Sequence, residues 1–217
     1  IVDQIKKDNP NFDITKINYA DQKVYNLFTQ GRTEGIFQFE SSGMKEKLRL
    51  LRPTEFNDIV AMNALYRPGP MAQIETYVRR KHGEEKVVYP HPHLEKILRD
   101  TYGVIVYQEQ IMLIAVNFAH MSLNEADNMR RAVSKKKKED LEYYGRIFIE
   151  KSVAAGYDLN IAKKLFDLIV TFANYGFNKS HAVVYSMLAY RLAYLKVYYT
   201  KYFMTALLNN VISSEKK

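Results

Sequence analysis

The stretch whose reading decides the fold is Asn174–Lys196, "NYGFNKSHAVVYSMLAYRLAYLK". Gly176 closes one helical pattern, and a Phe-Asn-Lys-Ser-His knot opens the next, with Ser180 as the expected N-cap. Wound as a helix, the remainder is apolar on nearly every face through Val183, Val184, Met187, Leu188, Leu192 and Leu195. Such a helix is expected to be buried on most sides. Tyr190, Tyr194 and Tyr198 share one face by their spacing, which reads as core packing with hydroxyls at the rim.

Upstream, the same helical grammar repeats. Ser41 or Ser42 opens a basic amphipathic helix that stops at Pro53, and a second runs from Thr54 to about Leu65, ending before Pro68. "MAQIETYVRRKHG" closes at Gly83, and "SLNEADNMRRA" carries a capping box of Ser122 and Glu125. Two more helices close at Gly156 and Gly176. Strand signals are short: "GIFQFE" (35–40), "KVVYP" (86–90) and "GVIVYQE" (103–109). With no internal repeat or low-complexity linker, the pattern predicts one lobe, mainly α with short β-strands.

Composition narrows the function. Among 217 residues there is no Cys, which removes disulfides, thiolate metal sites and Cys nucleophiles and fits a reducing, cytoplasmic setting. The longest strongly apolar run, "IMLIAVNFA" from Ile111, is about half the ~20 residues a spanning helix needs, so no membrane partner is expected. The chain opens "IVDQIKKDNP", without Met and in mid-element, which reads as a piece of a longer protein. A net charge of +8 favours an anionic partner, nucleic acid or nucleotide ahead of membrane. The excess is concentrated in "YVRRKHG" and in "MRRAVSKKKKED", Met129–Asp140.

Four stretches carry candidate binding chemistry. Asn178, Lys179 and His181 stand at a helix start, where unsatisfied N–H groups and the helix dipole suit a phosphate; an ordinary cap with a solvated lysine is the other reading. Arg67 in "LYRPGPM" is rooted in a proline-stiffened turn and suits bidentate phosphate or sugar contact, or else pairs with a carboxylate. Arg130 and Arg131 lie about 100° apart on a helix, while Arg131 and Lys135 share a face and can grip adjacent anionic groups; Lys137 and Lys138 also read as a solvated turn. Gln38, between Phe37 and Phe39 in an expected strand, faces a base edge or water. Five histidines without an HExxH frame give no zinc motif, and no Gly-rich phosphate loop or Asp-x-Asp pair supplies a complete active site.

"GIFQFESSGM", "LYRPGPM", "RRKHG", "YGVIVYQEQIM", "MRRAVSKKK" and "YGFNKSHAVVYSMLAY" occur in the order and approximate spacing of the bacterial DNA polymerase III alpha subunit family, and the resemblance covers essentially the whole chain. It implies the mostly helical fingers domain of a DNA-directed DNA polymerase over residues 1–217. That domain closes over the incoming dNTP and the template-primer DNA. The implied nucleotide or DNA contacts are Arg67, Arg130, Arg131, Lys135, Asn178, Lys179 and His181, joined by Gln38. Within that set, Lys179 and Arg131 are expected to neutralise triphosphate charge, and Arg67 and His181 to orient sugar or base. Phe177 would wall the nascent pair, and the basic run would follow template or primer phosphates.

The family's Mg²⁺-binding aspartates belong to a palm that precedes the fingers, so this span alone is expected to hold no metal and to be inactive. Sliding clamp and clamp loader would contact other regions of the chain. Val133, Ser134 and Thr200 depart from the family pattern, leaving open a bend before the lysines and a break at Thr200. The competing reading is a stand-alone basic helical DNA-binding module, against which the apolar character of the helix after Ser180 weighs.

Overall fold

The computed structural model describes residues 1–135, 138–173 and 175–212. Lys136 and Lys137 of the lysine run, and Asn174, lie outside the described residues. The described chain is mainly α, with 12 α-helices joined by short turns and single 3₁₀ turns. It divides into two compact units, one of Ile1–Asn63 with Ala182–Lys217 and the other of Ala64–His181.

The first unit holds α1 (Val2–Asp8), α2 (Gln22–Thr29), α3 (Ser42–Leu51), most of α4 (Phe56–Leu65), most of α11 (Lys179–Tyr198) and α12 (Thr200–Ile212). Ser41 caps α3 by accepting from the Met44 amide at 3.3 Å, and Arg52 ends it in the left-handed conformation before Pro53. Tyr190 is buried between Tyr19 and Tyr25, and its hydroxyl bridges the Asn18 carbonyl and the Asp21 amide. Burial pushes that hydroxyl's pKa up to about 12. Tyr198 reaches Asp21 Oδ2 at 2.7 Å, so the expected tyrosine stripe does end in rim hydrogen bonds. The chain breaks between α11 and α12 at Tyr199, and the Thr200 hydroxyl turns back onto the Lys196 carbonyl at 2.7 Å.

In the second unit, α5 (Ile74–Lys81) and α6 (Glu95–Leu98) precede four longer helices: α7 (Gln108–Ala119), α8 (Leu123–Lys135), α9 (Lys138–Ala154) and α10 (Leu159–Ala173). These four pack on one another around Ile111, Ile114, Phe118, Met129, Phe148 and Ile169. Each presents apolar residues three or four apart, the spacing of one helical face. The capping box forms as expected, with Ser122 N donating to Glu125 at 2.7 Å and Glu125 N to Ser122 Oγ at 3.2 Å. Lys151 adds an ion pair at 2.8 Å, and together these hold the Glu125 carboxyl down at about 2. The clustered Arg79 and Arg80 are both tied to Glu85.

Three sequence expectations are corrected. None of the three strand candidates forms a ladder among the described residues. Residues 35–40 are a succession of turns in which Ile36 and Phe39 are buried at i,i+3 while Gln38 takes φ 70. The spacing that looked like alternation therefore serves a turn. Residues 86–90 join no strand pairing among the described residues, and 104–107 make a single parallel bridge, Tyr107 with Phe177. Val104, Ile105, Val106 and Tyr107 are all buried, because helices rather than strands flank this segment. The N-cap of α11 is Asn178, not Ser180: its Oδ1 accepts from the His181 amide at 2.8 Å. Nor is α11 buried on most sides, since Val184 and Leu188 are exposed and its buried face is built largely from Ala182, Ser186, Ala189 and Ala193.

No helix among the described residues is long and apolar enough to cross a membrane.

Candidate functional site

The site starts from one buried amide. Gln110, in the first turn of α7, accepts from the amides of Val106 (2.9 Å) and Tyr107 (3.0 Å) and donates to the Ile97 carbonyl (3.2 Å) and Thr101 Oγ1 (2.8 Å). All its near-planar hydrogen-bonding capacity is turned to fixing the extended entry into α7. That entry then receives the 175–177 loop: Phe177 N donates to Val106 O at 3.0 Å and Gln108 N to Phe177 O at 2.9 Å. Gly176 sits against Gln108, where a Cβ would come within 3.1 Å of Gln108 Cγ.

This clasp positions the start of α11. Both oxygens of Glu109 accept from the Lys179 amide, at 3.0 Å each. The Lys179 ammonium lies 5.3 Å from the centre of the Tyr107 ring and has no carboxylate partner among the described residues. His181 stacks edgewise on Phe177, ring centres 5.3 Å apart. The other face of the clasp holds Arg67, whose guanidinium lies 4.5 Å from the Phe177 ring centre. Its Nε donates to the Ala64 carbonyl at 3.0 Å and its Nη2 to the Tyr175 carbonyl. Carbonyls, not a carboxylate, hold it, and burial lowers its pKa.

Gly69 makes this approach possible. Its φ is +101°, and a Cβ there would stand 2.2 Å from the Tyr175 ring. Gly69→Ala is therefore expected to destabilise the fold by about 2–3 kcal/mol, since backbone strain and a ring displacement add. It should also loosen Arg67 from the Tyr175 carbonyl. Thermal unfolding of the variant against wild type checks the first effect.

On α8, Arg130 donates through Nε (3.0 Å) and Nη2 (2.7 Å) to Asp127 Oδ1 and through Nη1 to Gln108 Oε1 (3.1 Å). Gln108 thus ties the clasp to the arginine pair. Arg131 takes the other oxygen of Asp127 at 2.8 Å, with its side chain 64% exposed. The Arg130 hydrogen bond, above the charge of both arginines, keeps the Asp127 carboxyl below the usual carboxylate range. Lys135 follows one turn later and is exposed, and Ser134 Oγ bonds the Arg130 and Ala173 carbonyls.

Seven of the eight sequence candidates therefore belong to the second compact unit. Arg67, Asn178, Lys179 and His181 gather on the Tyr107–Phe177 bridge, Arg130 and Arg131 join it through Gln108 and Asp127, and Lys135 continues their helix. Gln38 lies in the first unit, exposed on its turn. The anion-binding helix start is already largely occupied from within, because Glu109 and Asn178 take the Lys179 and His181 amides. Sequence reasoning overlooked Tyr107, Gln108, Glu109, Gln110 and Asp127. Asp127 was legible, standing three and four residues before the two arginines. Tyr107, Gln108 and Glu109 find their partners at Phe177, Arg130 and Lys179, far away in sequence, so nothing local marked them.

The model of the bacterial DNA polymerase III alpha subunit finger domain matches residues 1–156. The chain is 55% identical over 218 residues to DNA polymerase III subunit alpha of Staphylococcus aureus (strain COL), which covers 100% of this chain and 20% of that protein. It is 54% identical over 212 residues to DNA polymerase III subunit alpha of Bacillus subtilis (strain 168), covering 98% of this chain and 19% of that protein. The chain thus spans about a fifth of the length of the curated relatives it matches. With helices throughout the described residues and that sequence identity, the chain belongs to the bacterial DNA polymerase III alpha subunit finger domain family.

Proposed function

We propose that this chain is the part of a replicative DNA-directed DNA polymerase that binds the incoming dNTP and template-primer DNA for nucleotidyl transfer. The observation that carries the reading is the clasp: Tyr107 and Gln108 join Lys179, at the start of α11, to the Arg130–Asp127–Arg131 cluster of α8. Lys179 and the exposed Arg131 offer cationic groups to the triphosphate, and their charge offsets the negative charge that accumulates on the leaving group. Arg130 has three of its five donors engaged within the protein and acts mainly by holding this surface, with two N–H groups left for phosphate. Arg67, stiffened by carbonyls and the Phe177 ring, orients sugar or base together with Asn178 and His181. Lys135 extends the cationic track along template or primer phosphates, and Gln38, exposed on its turn in the first unit, is read as a separate nucleotide or DNA contact.

Among the described residues no group of three or more His, Asp or Glu side chains is placed to hold a metal ion. We assign Mg²⁺ to paired carboxylates of a palm elsewhere in the longer chain, and no step here is routed through it. On this reading the span alone does not polymerise, works in the cytoplasm, and meets the sliding clamp and clamp loader through other regions of its chain.

The test uses the full-length polymerase. Lys179→Ala is expected to raise the KM for dNTP while leaving template-primer affinity nearly unchanged. An unaltered KM, with duplex affinity lost instead, would assign these cations to DNA alone.

A further inference from the structure

We infer that Glu109 is a positioning residue of this site, one that places Lys179 and limits how tightly a triphosphate is held; the inference rests on the reading just given. Three observations support it. Both carboxylate oxygens of Glu109 face the Lys179 amide at 3.0 Å, although one acceptor would satisfy that single donor. The two side chains just before Glu109 serve the same surface. Gln108 bonds Arg130 at 3.1 Å, and two residues before Glu109 the Tyr107 ring underlies the Lys179 ammonium at 5.3 Å. Among the described residues Glu109 also has no cationic side chain paired with it, unlike Asp127, Glu85 and Glu125. Its full charge is therefore spent at the start of α11, where an entering phosphate would otherwise meet the open amide and the positive end of the helix dipole.

Two consequences follow from separate properties of the side chain. As an acceptor, Glu109 fixes the first residue of α11 and with it the root of Lys179. As an anion, it repels phosphate from the helix start, so that triphosphate binds through side chains and pyrophosphate leaves more readily. Glutamine keeps the first property and removes the second, whereas alanine removes both.

The experiment is steady-state kinetics of the full-length polymerase with Glu109→Gln and Glu109→Ala, each verified as folded by its melting transition. Glu109→Ala is expected to raise the KM for dNTP about tenfold, the equivalent of one lost charge-assisted hydrogen bond. Glu109→Gln is expected to lower both that KM and the inhibition constant for pyrophosphate about threefold, since an interaction of like charges is removed at solvent-exposed range. A merely structural glutamate would not move the pyrophosphate constant in that direction. Equal KM rises in both variants, or no change in either, overturn the inference. Lys179→Ala in the same assay separates the levels: if it raises KM while both Glu109 variants match wild type, only this inference falls, and if it too changes nothing, the triphosphate site falls with it.

Discussion

Replacing Lys179 and Arg131 together by alanine in the full-length polymerase is expected to raise the KM for dNTP by about 100-fold or more. A charge-assisted hydrogen bond to phosphate contributes about 1.5–3 kcal/mol, so each substitution alone should cost about tenfold to 100-fold. The two side chains arise from different helices and share no direct partner: Lys179 rests on Tyr107, and Arg131 on Asp127. Within the protein, coupling between them is therefore small, and any departure from additivity passes through the triphosphate both engage. Removing Arg131 leaves Asp127 still neutralised by Arg130 through two hydrogen bonds, so the fold should tolerate the change. Melting temperatures close to wild type, together with the raised KM, would separate binding from stability.

The second large effect concerns a residue that touches no substrate. Gln110→Leu conserves volume but strips two amides of their acceptor and two oxygens of their donor, all near the buried start of α7. Unmet buried groups cost about 1–3 kcal/mol each when they cannot reach water; partial relaxation should leave a net loss of about 3–5 kcal/mol. The loss should be local first. Amide exchange at Phe177 and Gln108, whose hydrogen bonds form the bridge, is expected to accelerate more than exchange in the core of α9 and α10. Gln110→Glu keeps the acceptor and should fall between the two. Wild-type exchange at both amides in the leucine variant would show that the bridge stands without the amide.

These residues also mark where the sequence ran out as a guide. Helix limits were legible because caps and stops act within a few residues: Ser41, the Ser122–Glu125 box and Gly156 each did locally what their types do elsewhere. The strand candidates misled because burial on both sides of residues 104–107 looks the same whether helices or strands supply it. Asn178 displaced Ser180 as N-cap since α11 begins two residues earlier than the serine implied. At the site, residue chemistry pointed to cations that the fold does bring near one bridge, yet it placed them at an open helix start. Glu109, 70 residues away, fills that start. Only tertiary structure reveals such a partner.

The central claim is that Lys179 and Arg131 hold the phosphates rather than the base. It is tested most directly by measuring, on the full-length polymerase and its Lys179→Ala/Arg131→Ala variant, affinities for a deoxynucleoside carrying one, two or three phosphates. Wild type should bind progressively tighter as phosphates are added, and the variant should bind all three forms with nearly equal, weak affinity. If the variant kept the wild-type preference for three phosphates, the cations gathered at this clasp would not be what holds them.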